Sequence, residues 1–219
     1  MSGRPALKRQ IWPNSLRLLA ILALFCIQSG SSVPANRATP FSEPQMILAS
    51  FPQLDPLTFQ EGDVILRQGR SFVSSMIARS FPHGEGMSHC GILVMENGSW
   101  NVIHSISGRI DDRDGIRMQS LESFLAEAKP KAAIHIRPCF PINRKSLIHS
   151  ARTYLARACP FDHDYDLHDT DRLYCSELIR AVYMEAGAPD VFRYIRLAGK
   201  DLVDLASFFD NQYWLGYSE

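Results

Sequence analysis

The sequence predicts an α+β fold, an antiparallel sheet packed against helices. Three observations carry this. Short β-rich runs cluster in the middle of the chain. Two of them flank Asn97-Gly98, a strong short-range signal for a hairpin. Segments with helical spacing of apolar residues stand before and after the strand block, the arrangement of α+β rather than of alternating βα units.

Element by element, Glu61-Gly62-Asp63 is a turn and VILR (64–67) a short strand. SFVSSMIARSF (71–81) reads as a helix and PHGEGM as a loop. SHCGILVM and WNVIHSIS are the hairpin strands around Glu96-Asn97-Gly98-Ser99. GIRM (115–118) and AAIHIR (132–137) are further strands, with a helix near 120–128 between them. In 143–158, Leu147, Ile148, Ala151, Tyr154, Leu155 and Ala158 fall at helical spacing. Another helix starts near Cys175 and ends at Gly187, a residue type suited to a C-terminal cap. DLVDLASFF (201–209) is expected to be a last helix.

The 219 residues are 46% hydrophobic and 21% charged, a composition that suits one globular domain. The first 35 residues hold Arg4, Lys8, Arg9 and Arg17 and no acid, followed by the apolar run from Leu18 to Ile27. That pattern is an export signal, and the run is short for a membrane span. Val33-Pro34-Ala35 offers a cleavage site; an uncleaved anchor, or a lipoprotein modified at Cys26, are the other readings. The division is therefore a signal peptide at 1–35, a proline-containing linker or wrapped arm at 36–60, and one domain at 61–219. An exported, periplasmic or secreted location follows. Without the signal, 19 basic and 23 acidic side chains remain, which argues against a nucleic-acid partner.

Four cysteines lie outside the signal: Cys90, Cys139, Cys159 and Cys175. The 143–158 helix would hold Cys139 and Cys159 roughly 24 Å apart. A disulfide needs α-carbons within about 7 Å, so none is expected.

His89 and Cys90 are adjacent, but strand side chains alternate, so they face opposite ways. Cys90 is expected in the core. With Asn97-Gly98 at the turn centre, Gly91 lies opposite His104, which makes His89 and His104 diagonal neighbours on one face. One histidine then serves as a base and the other fixes its tautomer. LYCSELI (173–179) supplies a nucleophile: with Asp171 as helix cap, Cys175 falls in the first turn, on the stripe of Leu178, Ile179 and Val182. Free N–H groups and the helix dipole lower a thiol pKa there, and the Cys175 N–H is one oxyanion donor.

GDVILR, SHCGILV, VIH and LYCSELI, in this order, resemble the circularly permuted papain-like hydrolases of the YiiX/YaeF type, relatives of the NlpC-type cell-wall cysteine peptidases. In papain-like enzymes the cysteine precedes the histidine; here His89 precedes Cys175. The resemblance spans about residues 60–210. It implies a permuted papain-like fold with a partly barrel-like sheet, Cys175 as nucleophile, His89 as base and His104 at the third, polar position. It also implies that the loop before Cys175 forms the substrate cleft, with Phe161 or Tyr165 lining it and Tyr174 as a second oxyanion donor.

Other readings of these residues are weaker. Asp162, Asp164 and Asp166 match the first ligand spacings of a calcium loop, but Leu167 and Leu173 stand where it needs glycine and glutamate. No zinc-ligand spacing accompanies the histidines, so no metal site and no cofactor are expected. His135 alternates with Ile134 and Ile136 and is expected to face away from the core; Glu177 is read as a helix-surface or structural acid. The expected protein is an exported cysteine amidase or peptidase with a Cys-His-His acyl-enzyme mechanism, acting on a cell-wall peptide. The alternatives are a hydrolase or acyltransferase on lipid-like or N-acyl amides and esters, and an inactive binding module. An apolar groove near Phe161 would favour acyl chains, a polar one peptides.

Overall fold

The computed structural model describes residues 47–108 and 112–217. The export segment at 1–35, and residues 36–46 of the linker or arm, lie outside the described residues. Six strands form one antiparallel sheet: β1 (Val64–Gly69), β2 (His89–Glu96), β3 (Ser99–Ile106), β4 (Gly115–Ser120), β5 (Ala128–Pro138) and β8 (Trp214–Tyr217). Their order is β4-β3-β2-β1-β5-β8. The sheet has two edges, β4 and β8, and is not closed, so the expected barrel-like character is absent. The helices are α1 (Phe72–Ser80), α2 (Leu121–Ala126), α3 (Arg144–Ala156) and α4 (Cys175–Glu185).

Both faces of the sheet are covered. On one, Val64, Leu66, Ile92, Val94 and Ile103 pack against Leu147 and Ala151 of α3 and Leu178, Ile179 and Val182 of α4. On the other, Ile65, Leu93 and Val102 meet Leu121, Phe124 and Leu125 of α2, and Phe51, Leu54 and Phe59 from the segment before β1. Each such side chain, fully buried, contributes roughly 1.5–3 kcal/mol relative to exposure. The described part of the arm therefore lies on the face away from α4.

This double cover corrects the reading of His135. It is fully buried, and its Nε2 lies 2.7 Å from Asp63 Oδ2. Asp63 is also fully buried and accepts from Arg137 Nη2 at 2.7 Å, Arg144 Nη1 at 2.9 Å and the Gln60 N–H at 3.0 Å. The cluster ties the turn before β1 to β5 and α3.

The expected last helix is also corrected. Its first residues form β7 (Lys200–Val203), which pairs with β6 (Tyr194–Leu197) in a separate hairpin. Ala198 and Gly199 both take positive φ at its turn. Only Leu205–Phe209 is helical, as a short 3-10 turn whose cap, Asp204, accepts from the Ala206 N–H.

Candidate active site

The β2–β3 register pairs Ile92 with Ile103 and Glu96 with Ser99, as the Asn97-Gly98 turn requires. Asn97 and Gly98 both have positive φ, the geometry of a tight two-residue hairpin turn. Continued by one residue, the register sets Gly91 against His104. A Cβ on Gly91 would stand 2.3 Å from Val102 Cγ1 and 3.1 Å from His104 Cβ, so glycine is what lets β3 close on β2 there.

His89 Nε2 and His104 Nδ1 are 2.8 Å apart. His104 Nε2 is 3.0 Å from Gln119 Oε1. An amide oxygen only accepts, so His104 carries its proton on Nε2 and accepts at Nδ1. His89 then donates from Nε2, which leaves His89 Nδ1 with a lone pair, the state a base needs. Arg117 Nε is the longer contact to His104 Nε2, at 3.4 Å. His104 is fully buried, and the His89 ring stacks 5.6 Å from Phe124. Burial pushes the His89 imidazole well below its usual 6.5, and Arg67, His104 and Arg117 add to this, so His89 is neutral at neutral pH.

Cys175 is half-buried at the first position of α4. Tyr174, not Asp171, is the N-cap; exposed Asp171 instead pairs with Arg157 at 2.6 Å. The Ser105 hydroxyl on β3 donates to the Leu173 carbonyl at 2.5 Å and pins the entry to the helix. The neighbouring Cys90 is the largest influence holding Cys175 below the usual thiol range, against burial, which raises it. His89 stacks on Phe124, on the sheet face that α2 covers, whereas the helix that starts at Cys175 packs on the other face. Cys90 is fully buried in the core.

Cys175 opens on a cavity of about 170 Å³. Val73, Met76 and Ile77 of α1 form one wall, and Leu197 and Leu202 of the β6–β7 hairpin form another. Phe161, Tyr165 and Tyr174 also line it. The α1 helix has no buried residue, and of its apolar residues Ile77 both lines this space and packs against the core. The Tyr174 hydroxyl is turned to β7, where it accepts from the Val203 N–H at 2.8 Å. A second, polar groove lined by Asp166, His168 and Asp201 shares Tyr165 and Lys200 with the cavity.

Residues 58–207 match the model of the permuted papain-like amidases of the YaeF/YiiX type, family C92. The chain belongs to this family. Among solved structures, yiiX of Escherichia coli O157:H7 has the same fold: TM-score 0.60 at 21% identity, over 73% of this chain and 97% of that one. A comparison with curated proteins returns no match. The yiiX structure is described as a metalloprotein. Among the described residues of this chain, no group of three or more His, Cys, Asp or Glu is placed to hold a metal ion.

In this C92 amidase the loop before Cys175 is built on fully buried Asp162, which accepts from the Asp164 N–H at 2.8 Å and the Asp166 N–H at 2.6 Å. Glu177 is 2% exposed, so it is not a surface acid. It accepts from the Tyr174 N–H at 3.3 Å, at the start of the helix that carries Cys175. Burial, with Asp162 nearby, raises its carboxyl to about 8. A carboxyl raised in the folded state supports the fold fully below its unfolded value, near 4.5, and loses that support as pH climbs toward 8. Glu177→Gln, an uncharged isostere, is expected to flatten the fall in melting temperature across this window; thermal denaturation at several pH values checks it.

Four polar groups at the site were not singled out from sequence as parts of it: Gln119, Arg117, Arg67 and the thiol of Cys90. Gln119 was within reach of sequence reasoning. It pairs with Val102 across β3–β4, which puts it on the His104 face.

Proposed function

We propose that the chain is a cysteine amide hydrolase in which Cys175 attacks the carbonyl, His89 Nδ1 moves the proton, and His104 orients His89. The observation that carries this reading is Cys175 at the start of α4, open to a cavity, in a chain that also holds the hydrogen-bonded His89–His104 pair on β2 and β3. The sulfur attacks and a C–S bond forms. His89 delivers a proton to the leaving amine as the C–N bond breaks. Water, deprotonated by His89, then hydrolyses the thioester and returns the free acid. The Cys175 N–H, at the helix start, is suited to the oxyanion.

The cavity favours a substrate with an apolar acyl group, an N-acyl amide or a lipid-like ester, over a cell-wall peptide. Its walls are aliphatic and aromatic, and the polar groove beside it suits a polar leaving group. The basic-then-apolar segment at 1–35 supports an exported enzyme. Acyl p-nitroanilides and p-nitrophenyl esters from acetyl to octanoyl, with wall-type peptides alongside, test the reading. The expected result is a kcat/KM that rises about fourfold for each methylene that enters the cavity. A preference for the peptides would return the cell-wall reading. No turnover of any of these, with no acyl-enzyme, would favour a binding module.

A further inference from the structure

We propose that Glu127 is a positioning residue for the base: through Gln119 and His104 it fixes which nitrogen of His89 carries the lone pair. The inference rests on His89 as the base and extends the site beyond the Cys-His-His set. Glu127 is the C-cap of α2, and its Oε2 lies 2.6 Å from Arg67 Nη2. Arg67 is buried. It also donates to the Phe124 carbonyl and lies 4.3 Å over the Phe124 ring, against which His89 and His104 both pack. The Glu127 carboxylate is thereby held in place, with Oε1 3.4 Å from Gln119 Nε2.

A glutamine amide can turn either end to a histidine, and the two ends demand opposite tautomers. A carboxylate only accepts, so Glu127 takes the NH2 end and leaves Gln119 Oε1 for His104 Nε2, 3.0 Å away. His104 then holds its proton on Nε2 and accepts from His89 Nε2 across 2.8 Å, and His89 Nδ1 keeps its lone pair. Arg117 offers the competing state. It stands opposite His104 across β3–β4, with its Nε 3.4 Å from the same His104 Nε2. A donor there needs a bare Nε2. The His104 proton then sits on Nδ1, the bond to His89 reverses, and the His89 proton moves to Nδ1. Each ring still carries one proton, but the base nitrogen is blocked. Glu127 opposes this state twice, because its Oε1 also lies 4.0 Å from Arg117 Nη2 and draws that guanidinium from His104.

The test is heteronuclear NMR of the full chain with isotope-labelled histidine, which reads the protonation of each ring nitrogen, together with steady-state hydrolysis of an octanoyl p-nitroanilide. Wild type is expected to show His104 protonated on Nε2 and His89 bare at Nδ1. Glu127→Gln frees the Gln119 amide to turn: the opposite tautomers gain, kcat falls about tenfold and KM stays within about twofold, the loss of part of what a general base contributes. If Glu127→Gln does not fold, Gln119→Leu, which leaves the Arg67–Glu127 pair intact, makes the same comparison. Gln119→Glu combined with Glu127→Gln puts an acceptor-only group back at His104 and restores both the tautomers and the rate. His104 protonated on Nδ1 in wild type, or tautomers unmoved by Glu127→Gln and Gln119→Leu, overturns the inference. The NMR readout does not need turnover: the expected tautomers in a protein that hydrolyses no amide would support the inference and overturn the amidase reading.

Discussion

Cys175→Ala is expected to lower amide and ester hydrolysis by about 10⁴- to 10⁶-fold, as loss of a nucleophile does when the rest of the site cannot substitute for it. The melting temperature should barely move. The thiol is half-buried at a helix start, and alanine keeps the helix. Steady-state kinetics with an acyl p-nitroanilide and thermal denaturation of the same sample check both halves. The other cysteines are poor substitutes: Cys90 is enclosed in the core with its thiol held neutral, and burial raises Cys159 as well.

The largest loss of stability is expected at Asp63. This carboxylate is fully buried and gathers His135, Arg137 and Arg144 around itself. Burial alone would raise its carboxyl; the hydrogen bonds from His135 and Arg137 outweigh that and hold it below 3.8. Asp63→Ala leaves the arginines without this counter-charge and removes the bond to His135, and removing one partner of a buried pair costs about 3–5 kcal/mol. Chemical denaturation should show that loss. Activity should fall only as far as the unfolded fraction requires, because the cluster ties β1 to β5 and α3, away from Cys175.

How much of this was legible in the sequence depended on local chemistry. Asn97-Gly98 specifies both the turn and the register, so the pairing of β2 with β3 followed from two residues. The start of α4 was legible from LYCSELI, whose apolar stripe packs on the sheet. The cap was misassigned because Asp171 is the better capping residue type, yet the chain uses it for Arg157 and begins the helix after Tyr174. His135 was misread because alternation identifies an outward face only when one face of a sheet is wet. Here α2 and residues 51–59 cover the second face, so both parities are buried. The β6–β7 hairpin hid behind Ala198, a residue type that rarely takes positive φ. DLVDLASFF was expected to be one helix, but Asp204 divides it, as the cap of a short 3-10 turn.

The central claim is that Cys175 forms an acyl-enzyme. The most direct measurement is intact-mass and peptide-mass analysis of enzyme quenched during turnover of an octanoyl p-nitrophenyl ester. The account predicts an octanoyl thioester on Cys175, formed and lost within the turnover time and absent from Cys175→Ala. Turnover with no adduct, or an adduct confined to Cys90, Cys139 or Cys159, would contradict it.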